Sequence, residues 1–124
     1  MEITQTENET ETVVHLVGEI SHGQIKELRG SLFQAVNDVD VVIDARGVTD
    51  FDDTALTALS AARSRAKWRS HRLVVVDEED GRLRASLRRT GLHLHFPVYR
   101  DPAGAAKGLS ADRLATARKA ELAR

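Results

Sequence analysis

The sequence contains no cysteine among its 124 residues. Disulfide bridges and thiolate metal sites are therefore excluded. No apolar run approaches the roughly 18 residues that suggest a membrane span. Met1 is not followed by the basic and then apolar stretches of a secretory signal. We therefore expect a cytoplasmic protein that does not insert into a membrane.

Common signatures of enzymes and metal sites are also missing. The sequence has no Gly-x-Ser-x-Gly, Gly-x-x-x-x-Gly-Lys or Gly-x-Gly-x-x-Gly pattern, so it lacks the usual hydrolase, P-loop and dinucleotide-binding motifs. His93 and His95 have a spacing that suits zinc on one strand face, but no third ligand follows nearby. We interpret them as surface or edge-strand histidines and predict no metal.

Charge is unevenly distributed along the chain. Residues 1–53 carry 12 acids and 3 bases, whereas residues 54–124 carry 7 acids and 15 bases, for a total of -1. In one folded domain, the acidic and the basic residues can lie on the same surface. This charge distribution is therefore a weaker indication of nucleic-acid binding than a uniformly basic domain would be. We predict no nucleic-acid partner.

The first third of the sequence predicts a hairpin followed by a helix. Two short stretches, Glu2–Thr6 and Thr12–Val17, suit antiparallel strands. Apolar residues at spacings of three and four then predict a helix from about Gly23 to Val36. Ser21 and Gln24 form a candidate capping box in front of it.

The middle of the sequence alternates between buried strands and a helix. Asp40–Ala45 and Arg72–Asp77 are short, β-branched apolar runs, typical of strands buried on both faces of a parallel sheet. Between them, small and apolar residues from Thr54 to near Trp68 fall on one side of a helix.

The remaining elements complete an α/β pattern. A third helix is predicted to end at Gly91, and a last strand spans Leu94–Tyr99, where Pro97 favours a sheet edge. The order ββαβαβαβ predicts a mixed, mainly parallel sheet with helices packed on it. We expect one domain over residues 1–109, and a C-terminal helical tail over residues 110–124 that docks weakly or frays.

Three acids, Asp50, Asp52 and Asp53, gather where the third strand gives way to the second helix, in the segment VTDFDDTALTAL. One interpretation is helix capping, since Asp52, Asp53 and Thr54 suit the free N–H groups and the positive end of the helix dipole. Another is a Mg²⁺ site, to which Asp44 at a strand end, together with Asp52 and Asp53, would supply several oxygens. A small magnesium-dependent phosphotransfer protein would use the same three acids.

A response-regulator receiver is a related alternative, but the pattern fits it poorly. Receivers place paired acids after the first strand and use a lysine from a late strand. Here the acids follow the third predicted strand, and the last one, HLHFPVYR, contains no lysine.

Three blocks of the sequence carry a further resemblance. They are VVHLVGEIS with its Gly18–Glu19 turn, VVIDARGVTDFDDTAL, and LRRTGLHLHFPVYRDPAGA. In order and separation they resemble the STAS domain family, the sulphate transporter and anti-sigma factor antagonist family, over roughly Thr12 to Leu109. The resemblance implies a bacterial protein-binding module without enzymatic activity or a cofactor. It would regulate transcription through a kinase-like anti-sigma factor.

In that family, the anti-sigma factor phosphorylates the serine that follows a motif aspartate. Asp52 matches the motif aspartate and Asp53 stands where the serine would be. Thr54 is the next hydroxyl position, Ala55 replaces the usual glycine, and Leu56 matches. A serine phosphate carries about -1.5 to -2 charges, so a carboxylate there is a partial phosphomimetic that cannot form the phosphoester.

The resemblance also implies where a partner binds. The expected surface combines the Gly18–Gly23 turn with the start and the exposed parts of the second helix. Trp68 near the end of that helix either anchors a partner or covers the edge of the core. A STAS subunit of a phospholipid-transport ATPase complex is the alternative function. The predicted partner-binding residues are Ser21, His22, Asp50, Asp52, Asp53, Thr54, Leu56 and Thr57, of which Asp53 and Thr54 are the predicted regulatory positions.

Overall fold

Five strands form one sheet in the order in which they occur in the chain. The computed structural model describes residues 1–123. β1 pairs with β2 in antiparallel orientation and all later neighbours are parallel, which confirms the predicted mixed, mainly parallel sheet. The strands are β1 (Glu2–Glu7), β2 (Glu11–Ile20), β3 (Asp40–Phe51), β4 (Leu73–Val76) and β5 (Val98–Tyr99).

Helices connect the strands and follow the last one. They are α1 (Ile25–Asp38), α2 (Leu56–Trp68), α3 (Arg82–Thr90) and α4 (Pro102–Leu122). Single 3-10 turns, at residues 22–24 and 53–55, lead into α1 and α2, so each helix begins two residues later than predicted. The predicted order ββαβαβαβ is confirmed. The end of α3 is also confirmed, because Gly91 follows it in the left-handed conformation with φ of 75°.

The main core lies between one face of the sheet and the helices α1, α2 and α3. Side chains alternate along β3, so that Val41 and Ile43 face this core while Val42 faces the opposite side. Leu28, Leu59 and many others are fully buried there. This packing explains why the central strands are apolar on both faces.

The helix α4 covers part of the other face of the sheet. Ala105 and Leu109 of α4 pack against Val42 and its neighbours on β4. Arg113 of α4 donates through Nε to Asp40 Oδ2 at 2.8 Å, at the start of β3. The helix continues to Leu122, so residues 110–122 of the expected tail belong to α4. The domain boundary at residue 109 stays a prediction.

Three predicted features of the strands are wrong. The Gly18–Glu19 segment is not a turn: β2 continues to Ile20, and Gly18, with φ of 91°, lies at an irregularity in the pairing with β3. The strand predicted over Asp40–Ala45 continues to Phe51, because it stays paired with β2, which itself extends beyond its predicted end to Ile20.

The last strand is also shorter than predicted. Only Val98 and Tyr99 pair with β4, since residues 92–94 form a 3-10 turn instead of extended backbone. Pro97 does precede an edge strand, and its carbonyl accepts a hydrogen bond from Val75 N at 2.9 Å. Within residues 1–123, none of the helices is both long and apolar enough to cross a bilayer.

Candidate partner-binding site

The loop before α1 and the turn before α2 lie side by side. The parallel strands β2 and β3 end together at Ile20 and Phe51, which pair in the sheet. Asp52 N donates to Ile20 O at 3.0 Å, so the two following turns are joined by a backbone hydrogen bond. His22 of the first turn reaches the second, with Nδ1 2.9 Å from Thr54 Oγ1. The two predicted parts of the partner surface are therefore one continuous surface.

Asp52 caps the turn that leads into α2. Its Oδ1 accepts from Thr54 N at 2.9 Å and from Thr54 Oγ1 at 2.6 Å. The bonds from the hydroxyl and backbone of Thr54 lower the pKa of Asp52 below its ordinary value. The helix-capping interpretation accounts for this acid.

Asp53 points in another direction, toward α3. Arg89 donates to it from Nη2 to Oδ1 at 2.7 Å and from Nε to Oδ2 at 3.2 Å. Ser86 Oγ also donates to Asp53 Oδ1. Arg89, followed by Ser86, lowers the pKa of Asp53 to about 2 from an ordinary value of 3.8. The carboxylate is therefore ionised at neutral pH and held by two side chains of one helix.

The Asp53 pair remains accessible to solvent. The side chain of Asp53 is 43% exposed and that of Arg89 is 58% exposed. A bidentate pair of this kind sets the direction of both groups, whereas water screens much of its energy. We conclude that the pair determines the local charge and shape of the surface more than it stabilises the fold.

Thr54 keeps its hydroxyl on the outer surface. Its Oγ1 lies between Asp52 and His22, and its carbonyl accepts from Thr57 Oγ1 at 2.8 Å. Thr54 and Asp53 therefore face different neighbours although they are adjacent in sequence, as expected for consecutive positions entering a helix.

The other predicted residues divide into surface and core. Asp50 is exposed near the end of β3, and Ser21 is half-buried, with its backbone N donating to Gln24 Oε1 at 3.0 Å as the capping box predicts. Leu56 is only 3% exposed and belongs to the main core. Its prediction as a partner-binding residue is wrong, because its side chain cannot reach a partner without opening the fold.

The magnesium interpretation loses its geometric basis. Asp44 lies inside β3 rather than at a strand end, and its oxygens accept from Arg46 Nε at 2.9 Å and Nη2 at 3.0 Å. His15 Nδ1 lies 3.1 Å from Asp44 Oδ2. Burial alone raises the pKa of Asp44, but the hydrogen bonds from Arg46 outweigh it and the net pKa is lowered.

Away from Asp44, the part of the chain that the structure describes offers no suitable group of metal ligands. No three histidine, aspartate or glutamate side chains of residues 1–123 are grouped so that they could hold an ion. His93 and His95 lie in and just after the 3-10 turn at residues 92–94, not on a strand. The strand-face geometry considered for zinc is therefore wrong.

Sequence reasoning missed the two residues of α3 that hold Asp53. Ser86 and Arg89 lie more than 30 positions further along the chain. One signal was present: Ser86 falls on the buried side of α3, between Leu83 and Leu87. A serine on an apolar helix face needs a hydrogen-bond partner, although the sequence does not say which one.

Comparisons with known proteins agree with the fold. The family model described as Mlab, STAS domain, matches residues 3–95. A search of curated proteins finds no significant match.

Several solved structures share the architecture. An anti-sigma factor antagonist from Mycobacterium paratuberculosis superposes with a TM-score of 0.78 at 22% identity, covering 88% of this chain and 93% of that chain. The anti-sigma factor antagonist SpoIIAA in its unphosphorylated form gives 0.69 at 13% identity, covering 93% and 97%. The phosphorylated form of SpoIIAA, a Bacillus cell fate determinant, gives 0.64 at 13% identity, covering 86% and 98%. At these identities the likeness shows the fold alone.

Proposed function

Since this chain belongs to the STAS domain family, we propose that it is an anti-sigma factor antagonist that binds a kinase-like anti-sigma factor and catalyses no reaction itself. Solved structures with the same fold are named as anti-sigma factor antagonists. The observation that carries the proposal is the Asp53 carboxylate, held by Arg89 at the start of α2 on an exposed surface. We place the switch position of the family there.

The chemistry of Asp53 removes the usual phosphorylation control. A carboxylate offers no hydroxyl to a kinase, so no serine phosphoester forms at position 53. Its single negative charge is smaller than that of a phosphate and is paired with Arg89 at 2.7 Å. Because Arg89 would face a serine or a phosphoserine equally, the charge at position 53 lies between those of the two states. The proposed module therefore has one fixed binding state, which a kinase does not switch.

The proposed contact surface surrounds this pair. It includes the half-buried Ser21 and exposed side chains from the adjoining turns and the first turn of α2. It excludes Leu56, which lies in the core. A partner that approaches this surface meets the exposed carboxylates of Asp50 and Asp52, which form no ion pair within residues 1–123 and favour arginine or lysine on its side. The exposed members are His22, Asp50, Asp52, Asp53, Thr54 and Thr57.

Titration calorimetry with candidate kinase-like anti-sigma factors, with and without ATP, tests the proposal. Wild-type protein is expected to bind equally well in both conditions. Asp53→Ser is expected to bind without ATP, and with ATP to take up phosphate and lose affinity. Asp50→Ser is the matched control, since it also exchanges an exposed acid for serine but is expected to take up no phosphate.

Two results would count against the proposal. One is the absence of binding by the wild type to every such factor that the native organism encodes. The other is a serine variant that binds but remains unphosphorylated while its affinity is unaffected by ATP. Thr54→Ala in the same assay distinguishes phosphorylation at the neighbouring hydroxyl, since it removes that acceptor and leaves Asp53 in place.

A second candidate is a STAS subunit of a phospholipid-transport ATPase complex. The same observation favours it, because a subunit that permanently grips an ATPase needs no removable phosphate at position 53. Purification of the tagged chain from its native organism separates the two candidates. A kinase-like anti-sigma factor in the eluate supports the first function, and a transporter ATPase supports the second.

A further inference from the structure

The end of α2 combines positive charge with an exposed aromatic side chain. Residues 54–76 contain five lysines and arginines and no acid. Trp68, the only tryptophan of the protein, is 87% exposed at the last position of α2. It therefore does not cover the edge of the core, which was one of the two interpretations of this residue.

Cations flank Trp68 on both sides. Ser64 and Lys67 form one shallow depression with the indole, and Arg65 and Arg69 form another. We call these five residues, including Trp68, the Trp68 patch. The ion pairs found within residues 1–123 involve none of its three basic side chains. Its positive charge is therefore not neutralised by carboxylates of the described chain.

Folding requirements explain only part of the patch. Basic residues in the last turn of a helix interact favourably with its dipole, which accounts for Arg65 and Lys67. Arg65 also donates from Nε to Asn37 Oδ1 at 3.0 Å, so it helps to join α2 to α1. Neither reason applies to an indole that remains in solvent.

We propose that the Trp68 patch docks the protein onto an anionic lipid bilayer, with the indole at the level of the headgroups. Tryptophan between lysines and arginines is typical of segments that lie at membrane interfaces. Acidic headgroups supply the negative charge that the patch lacks, and each basic residue near such a surface adds to the attraction.

The small apolar area of the patch favours a bilayer over a protein groove. Tryptophan and arginine are enriched in protein interfaces and lysine is depleted, but the centres of such interfaces are apolar and poor in charge. In the Trp68 patch a single apolar side chain stands alone among three cations and a serine. Such a surface provides little apolar area for a protein partner. The headgroup layer of a bilayer, in contrast, can accommodate a single indole that is surrounded by basic side chains.

Docking at this patch leaves the Asp53 site free. The two lie at opposite ends of α2, whose 13 residues span roughly 20 Å. Membrane docking therefore does not depend on the identity of the protein partner. The membrane inference and the proposed function can each fail without the other.

Vesicle binding by the whole 124-residue chain tests the inference. We expect the wild type to cosediment with vesicles of phosphatidylcholine mixed with phosphatidylglycerol, but not with phosphatidylcholine alone. The emission of Trp68 should shift to shorter wavelength on binding, because its indole leaves water. Added salt should release the protein. Failure to sediment with the mixed vesicles would overturn the inference and would leave an acidic protein surface as the occupant of the patch. Sedimentation without an emission shift would also overturn it, because the indole would then remain in water.

Paired variants locate the contact. Lys67→Gln with Arg69→Gln should weaken binding roughly thirtyfold, at about 1 kcal/mol per charge. Arg82→Gln with Arg88→Gln removes the same charge from α3 and should leave binding unchanged. Trp68→Ala should also weaken sedimentation, and its exposure means that folding is unaffected. Equal losses in both double variants would show an effect of net charge alone and would refute docking through this patch.

Discussion

Arg89 holds Asp53 with two guanidinium nitrogens, from Nη2 at 2.7 Å and from Nε at 3.2 Å. The pair joins α3 to the turn before α2, across 36 positions of the sequence. In the proposed function, this contact gives a permanent carboxylate a defined direction and an opposite charge. Position 53 then has one charge state at neutral pH.

The first prediction concerns the acidity of Asp53. Arg89→Gln should raise the pKa of Asp53 from about 2 toward its ordinary value of 3.8, because the largest cause of the shift is removed. Carbon-detected NMR titration of the side-chain carboxyl measures this directly. Arg88→Gln changes a neighbouring arginine that does not contact Asp53 and should leave its pKa unchanged. An unaltered pKa in the Arg89 variant would contradict the pairing.

A pH dependence of stability follows from the same shift. Because folding lowers the pKa of Asp53 from 3.8 to about 2, its contribution to stability is present above the ordinary value and is lost as the pH falls toward 2. The wild type should therefore be slightly more stable than Arg89→Gln at pH 7, and the difference should shrink below pH 4. Urea denaturation at a series of pH values checks this, and a difference that grows in acid would show the opposite linkage.

Burial in the main core predicts how much stability a truncated side chain costs. Leu59 is fully buried on α2, so Leu59→Ala should lower the free energy of unfolding by about 2–5 kcal/mol. Leu94 is 79% exposed, and Leu94→Ala should have an effect within about 0.5 kcal/mol. Urea denaturation of both variants provides the comparison. Similar losses would mean that α2 does not pack as described.

The attachment of α4 gives a further prediction. Arg113→Ala removes the Nε contact at 2.8 Å from the buried Asp40, which keeps a hydrogen bond from Arg72 N at 2.7 Å. The expected loss is about 1–3 kcal/mol, with faster amide hydrogen exchange in the second half of α4. Lys119→Ala, an exposed change on the same helix, should alter neither quantity. Unchanged exchange in the Arg113 variant would show that the ion pair does not hold the helix.

The regular parts of the fold could be predicted because they depend on local periodicity. Spacings of three and four located α1 and α2, and the glycine at position 91 located the end of α3. The extension of β3 to Phe51 could not be read in this way. It depends on pairing with β2, and residues 46–50 are mostly polar or small.

The candidate site was predictable in outline and not in its contacts. The acids at the start of α2 were visible in the sequence, and Asp52 acts as the cap that such residues favour. The direction of Asp53 depends on how α3 packs against the turn, which brings Ser86 and Arg89 to it. Leu56 was misplaced because a motif match does not distinguish a contact residue from a core residue.

In the proposed function, the partner binds the surface at the start of α2. Amide shift mapping by NMR, with the labelled protein titrated by a cognate anti-sigma factor, locates this contact residue by residue. Perturbations are expected to concentrate at Ser21, His22, residues 50–54 and Thr57. Perturbations confined to α4 and β1, with residues 50–54 unmoved, would contradict it.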